Sequence, residues 1–369
     1  MGPRLSAAPP APFYRLLGLP RFVLALLVLV WHALPVAGWN TPETYATDFG
    51  PVAVFVFFAI SGYVIAEAAA AFYAGRPFAF LGNRLLRLWP AYLVALAAMA
   101  LALLLTGWAK QGELSAANLL ANAVALFPTV VITDPLLGLA HRAELLPSVW
   151  ALRVEFVFYL VVAAALLAGR FGGRGSWLAP LCWLLLAGSL VLYHLGVGVP
   201  RATFYFGMAP YFLLGALWAL RARLPRLQVR LLLSLSLLLA VLHAYSFDAF
   251  DADSSGWDRV PAGWGPFAAA ALFVLLLAWC LSRLRRSDAA KPERRAKDLL
   301  LGNLTYELYL LHLPAIVLVA WIWPAPDWSS LLVVLALSLT AAALLAIVLG
   351  GALRPLRRRL RRAAAPTLG

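Results

Sequence analysis

The sequence predicts an all-α polytopic transmembrane bundle of about ten spanning helices plus one short re-entrant or interfacial helix. Three observations carry that expectation. Of 369 residues, 63% are hydrophobic and only 12% charged, against roughly 45–50% and about 25% in a soluble domain. Apolar runs of about twenty residues, the length that crosses a bilayer as helix, recur from one end of the chain to the other. The cations gather in the breaks between those runs, so the formal net charge of +14 reads as membrane orientation rather than as nucleic-acid binding.

Taken in order, residues 1–12 are rich in Pro and Ala and read as a disordered cytoplasmic N-terminus. Gly2 and Ser6 fit a myristoylation pattern only loosely, with Pro3 against it. The run 13–34 exceeds the apolar core of a secretory signal and reads as a retained span. Further spans fall at 52–71, 88–108, 149–167, 177–195, 203–220, 231–245, 262–281, 301–323 and 331–353. The piece 119–132 is apolar but short and contains Pro128.

Charge decides whether that piece crosses. If it does not, and the N-terminus is cytoplasmic, 24 of the 30 Lys and Arg lie inside and the acidic stretch Asp248–Asp258 lies outside. A crossing would split the basic clusters between the two sides. The positive-inside rule therefore favours ten spans with both termini cytoplasmic. On that reading 13–353 is the transmembrane domain and 354–369 a basic cytoplasmic tail. Cys182 and Cys280 lie within apolar runs, which suggests neither a disulfide framework nor a metal site.

Three polar constellations interrupt this background. In the first span, Arg21 and His32 are eleven residues apart, which places them near one helix face about 16 Å apart along the axis. They could be a snorkelling arginine and a helix-packing histidine. A histidine retained in an apolar span is equally a candidate for proton transfer near pH 7. At the start of the third span, Arg84 and Arg87 are i, i+3 neighbours. Paired guanidiniums close to a helix start suit phosphate, and Pro90 reads as an early-helix proline that places both in or just before the first turn. The alternative is ordinary basic flanking. In the fourth span, Glu155 lies six residues past Val149. That puts it in the outer half of the membrane with His32, either as a working carboxylate or as part of a structural pair with Arg153. A nearby carboxylate and apolar burial would shift the histidine in opposite directions and so keep it poised.

These residues also resemble the acyltransferase-3 family of integral membrane acyltransferases. Arg21 and His32 are similar to its Arg-x10-His signature, and Phe57-Phe58-Ala-Ile-Ser61-Gly62-Tyr63 to its Phe-Phe-x-x-Ser-Gly-[Phe/Tyr] element. Arg84-Leu-Leu-Arg87-Leu-Trp-Pro90 resembles its Arg-x-x-Arg-[Ile/Leu]-x-Pro element. Trp150-Ala-Leu-Arg-Val-Glu155-Phe-Val-Phe158-Tyr159 resembles the Trp-Ser-Leu-x-x-Glu-x-x-Phe-Tyr element, and Gly302-Asn-Leu-Thr-Tyr306-Glu-Leu-Tyr309-Leu-Leu-His312 a late Gly-x-x-Ser-Tyr-x-x-Tyr-Leu-x-His element. The five matches come in family order. Departures are Gly18 where an acidic residue is usual, Pro20 for leucine, and Ala151 and Thr305 for serine.

The resemblance implies an O-acyltransferase that moves an acyl group, most often acetyl, from cytoplasmic acyl-CoA to a hydroxyl of a cell-surface or lipid-linked glycan at a bacterial inner membrane. It needs no permanently bound cofactor, and acyl-CoA is the donor substrate. By position, His32 and Glu155 would be catalytic, and Arg21, Arg84 and Arg87 would engage the CoA phosphates. Ser61, Trp150, Tyr159, Tyr306 and His312 would support them. The competing class is a proton-coupled exporter that uses His32 and Glu155 as a relay. No inverted repeat in the span pattern supports that class.

Overall fold

The computed structural model describes residues 15–39, 49–124, 144–168, 178–196, 200–247, 264–287, 291–323 and 326–362. The segments 1–12 and 363–369, the acidic stretch 248–258 and most of the short apolar piece lie outside the described residues. Among the described residues the chain is helical, with α1 at Gly18–Ala33, α2 at Phe49–Phe72, α3 at Pro77–Thr106, α4 at Ala116–Ala123 and α5 at Val149–Leu167. After them come α6 at Leu178–Gly188, α7 at Pro200–Leu220, α8 at Arg226–Ser246, α9 at Gly265–Arg285, α10 at Pro292–Ile322 and α11 at Trp328–Arg362. A 3-10 turn, Leu34–Ala37, extends α1, and six π-helical residues, Ser189–His194, extend α6.

Eight of these helices are long and apolar enough to cross a membrane, namely α1 with its 3-10 turn, α2, α3, α5, α8, α9, α10 and α11. The other two expected spans are helical too, as the shorter Leu178–His194 and the 21-residue α7. Leucines and isoleucines such as Leu104, Leu184 and Ile347 stand exposed on the outside of the bundle. Such a surface suits lipid rather than water.

Small residues set the tightest crossings, as they do where no hydrophobic force drives helix association. A Cβ on Gly62 of α2 would overlap the Phe212 carbonyl of α7, and one on Gly215 of α7 would overlap the Ala59 carbonyl of α2. Around that crossing, rings stack at centroid distances of 4.7 Å for Phe58–Phe212, 4.4 Å for Phe158–Phe212 and 4.7 Å for Phe55–Tyr211. A Cβ on Gly18 of α1 would likewise overlap the Asp298 carbonyl of α10. There the Asp298 carboxylate accepts from the Gly18 amide at 2.6 Å, the Leu19 amide at 3.0 Å and the Arg283 guanidinium at 3.0 Å. The first amides of a helix have no intrahelical partner. A carboxylate from α10 therefore caps α1 and ties it to α9.

Two elements differ from the sequence expectation. Pro90 is not in a first turn: α3 starts at Pro77 and Pro90 lies inside it. Pro77 is the early-helix proline, so Arg84 and Arg87 sit in the second and third turns, beyond reach of the free amides at the helix start. The basic run from Arg354 does not leave the bundle as a loose tail, because α11 continues through it to Arg362. The short apolar piece is helical over α4, whose end lies against the middle of α3. Tyr92 Oη donates to the Asn122 carbonyl at 2.5 Å and Trp89 Nε1 to the Ala123 carbonyl at 3.0 Å.

Candidate functional site

One end of the bundle gathers arginines. A cavity of about 300 Å³ opens there, lined by Arg15 and Arg21 from the start of α1, Arg87 of α3, and Arg354, Arg357 and Arg361 of α11. Glu67, Asn303, Tyr306 and Glu307 complete its polar lining. Arg15 is already paired, with Nη2 3.0 Å from Glu67 Oε1, and Tyr63 Oη donates to the same oxygen at 2.8 Å. Tyr306 fixes the wall by donating from Oη to the Leu88 carbonyl at 2.8 Å, which joins α10 to α3.

The two arginines of α3 part company. Arg87 lines the cavity, whereas Arg84 is buried behind it, its guanidinium 5.3 Å from the Phe80 ring centroid and 5.5 Å from that of Tyr159. Cation–π contacts hold the Arg84 guanidinium against these two rings. Tyr159 in turn donates to Glu155 Oε1 at 2.7 Å, and Ser61 Oγ donates to the same oxygen at 3.0 Å. Glu155 also lies within electrostatic range of Arg21 and Arg84. The carboxylate therefore belongs to the arginine side of the site.

The expected pairing of Glu155 with His32 is not formed. The start of α5 explains why. Tyr309 Oη, on α10, donates to the Ser148 carbonyl at 2.7 Å, which sets α5 beginning level with the middle of α10. Seven further residues carry Glu155 about 10 Å toward the arginine end. The partner of His32 is instead His312, with ring centroids 4.9 Å apart and planes tilted by 49°. Trp31 meets the His32 ring edge-on at 4.8 Å. Among the described residues no contact joins His32 directly to Glu155, the link that a relay between the two would use. Trp150 meets the Phe58 ring edge-on at 6.0 Å.

The hydrogen bonding of His32 selects its tautomer. Nδ1 lies 2.9 Å from the Val28 carbonyl, one turn back on α1. A carbonyl only accepts, so Nδ1 carries the proton and the lone pair is on Nε2. His312 is fully buried, and its Nε2 has no hydrogen-bond partner among the described residues. A buried imidazole nitrogen left open in this way suits a site that receives a polar group from a ligand.

The sequence reading missed Glu67, Glu307 and Asn303, because single polar residues in apolar helices carry no spacing signal. It took Arg354, Arg357 and Arg361 for flanking charge, although they recur at i, i+3 and i+7 and so share a helix face. Asp298 was hidden within a basic run.

Fold and site together define a helical membrane protein with an arginine-lined cavity at one end of the bundle and a histidine pair deeper within it. A family model described as an acyltransferase domain, Acyl_transf_3, matches residues 17–350. The chain belongs to this acyltransferase-3 family. An O-acetyl transferase of Shigella phage Sf6 is 29% identical over 156 residues, covering 39% of this chain and 44% of that protein. The match thus spans less than half of the relative's length. No solved structure matches the chain.

Proposed function

We propose that the protein transfers an acyl group, acetyl in the first instance, from acyl-CoA to a hydroxyl of a glycan or lipid-linked glycan. The observation that carries this reading is the arrangement on α1, where Arg21 lines the cationic cavity and His32, about 16 Å further along the helix, presents a free Nε2. Membership of the acyltransferase-3 family and the similarity to a phage O-acetyl transferase support the reaction class. The positive-inside rule supports a cytoplasmic arginine end and an opposite acceptor side.

In the mechanism, the CoA phosphates dock at Arg21 and Arg87, and the pantetheine arm runs inward past Tyr306. His32 Nε2 takes the proton of the acceptor hydroxyl as its oxygen attacks the thioester carbonyl carbon. The C–S bond then breaks, and the sulfur leaves as thiolate and takes up the proton from the imidazolium. Glu155, held by Ser61 and Tyr159, acts on the donor side by offsetting the charge of Arg21.

The test uses purified protein in detergent with labelled acetyl-CoA and a hydroxyl-bearing acceptor. His32→Ala is expected to lower transfer by about 10²–10⁴-fold while acetyl-CoA binding persists. Transfer retained by His32→Ala removes His32 from the mechanism. Absence of acetyl-CoA binding by the wild-type protein, together with solute flux in vesicles, overturns the enzyme reading.

A further inference from the structure

The terminal turns of α11 are built as part of the cavity. At 35 residues, α11 is about 52 Å long, far more than the roughly 30 Å of a hydrocarbon core. Its last turns therefore stand beyond that core, yet they are held to α3. Asn83 Nδ2 donates to the Arg357 carbonyl at 3.2 Å, and Leu360 lies over Gly82, where an added Cβ would be 3.7 Å from its Cδ1.

The face turned to the cavity has a graded composition. Ala346, Leu349, Gly350 and Leu353 line the deeper part, and Arg354, Arg357 and Arg361 continue the same stripe. Arg358 and Arg359, equally basic, are exposed and lie outside the cavity wall. Three of the six arginines in this run thus face the cavity, at i, i+3 and i+7. Among the described residues the cavity is lined by six arginines against two carboxylates, one of them already bonded to Arg15. Arg357 Nε is buried without a hydrogen-bond partner among the described residues. Arg87 lies one turn deeper along α3 than Asn83, the residue that holds Arg357. On α11, which runs opposite to α3, Arg354 lies one turn deeper than Arg357, with its guanidinium over Gly350, and is therefore level with Arg87. The cations thus occupy two levels, Arg21, Arg87 and Arg354 within and Arg357 and Arg361 at the rim.

Two levels of guanidinium suit a ligand with two separate phosphate groups, and an acyl-CoA carries a diphosphate and a ribose 3′-phosphate. Building on the acyl-CoA reading above, we infer that Arg357 and Arg361 form a subsite for the 3′-phosphate of the nucleotide, while Arg21, Arg87 and Arg354 hold the diphosphate. The α11 extension is then a determinant of donor choice.

The experiment compares equilibrium binding of CoA and 3′-dephospho-CoA to the purified full chain. The wild type is expected to prefer CoA by about tenfold or more, the scale of one lost charge-assisted contact. Arg357→Gln, and separately the exposed Arg361→Gln at the rim, should lower CoA affinity toward that of 3′-dephospho-CoA and leave the latter unchanged. Arg358→Gln, off the stripe, should keep the wild-type preference. A wild type that binds both nucleotides equally overturns the subsite, as does an Arg357→Gln/Arg361→Gln protein with undiminished preference; either result leaves the donor reading standing. Binding of neither nucleotide by the wild type defeats the donor reading itself.

Discussion

His312 stands beside His32 with 4.9 Å between ring centroids, at a depth where the sequence pattern led us to expect a carboxylate. Its open Nε2 can donate to or accept from whatever His32 activates. His312→Phe keeps the volume and removes the polar atoms. Transfer should fall at least about tenfold, with acetyl-CoA affinity unchanged. Steady-state rates alongside equilibrium binding check this, and wild-type turnover in the variant would reduce His312 to packing.

Glu155 supplies a test of the corrected geometry. Transfer should rise with pH as His32 loses its proton and becomes a base. Glu155→Gln removes a charge from the Arg21 side while leaving an amide oxygen that can accept from Ser61 and Tyr159. The midpoint of the pH–rate profile should therefore stay where it is in the wild type. A direct His32–Glu155 pair would instead hold the histidine protonated to higher pH, and the glutamine would move the midpoint down.

The two arginines of α3 should separate by phenotype. Arg87→Gln should raise the KM for acetyl-CoA about tenfold or more, with stability preserved. Arg84→Gln removes cation–π contacts to Phe80 and Tyr159. It should lower the unfolding temperature in detergent and change KM little. Equal KM effects in both variants would contradict the split.

Asp298 joins three helices, so its loss should be felt as instability. Asp298→Ala leaves Arg283 and two α1 amides without their carboxylate, a change worth about 3–5 kcal/mol for a buried pair. Gly18→Ala should destabilise by about 1–3 kcal/mol by forcing α1 away from the Asp298 backbone. Thermal unfolding of the purified variants measures both.

Much of this was legible in the sequence, for identifiable reasons. Helices in lipid must be long, apolar and internally hydrogen-bonded, so their positions follow from composition alone. Arg21 and His32 share a helix face because periodicity fixes it, whereas the close crossing at Gly62 shows only with Phe212 of α7 against it. Depth was harder to read. The position of Glu155 depends on where α5 begins relative to α10, which a Tyr309–Ser148 hydrogen bond decides and no spacing within α5 records. The same holds for the α11 arginines, whose part in the site depends on Asn83, far away in sequence. The departure at Gly18 is explained by its neighbour, since a side chain there would occupy the place of Asp298.

The two contacts between α1 and α10 also impose a common register. Fourteen residues separate Gly18 from His32, and fourteen separate Asp298 from His312, with contacts joining the first members and the last members of these pairs. Two parallel rods pinned at equal intervals cannot slip past each other. A single alanine inserted into either helix between its pins would turn its histidine by about 100° and break the facing pair. An insertion in both helices would restore the equal spacing but turn both histidines in the same sense about their own axes, to opposite sides of the α1–α10 contact, so the facing pair would stay broken.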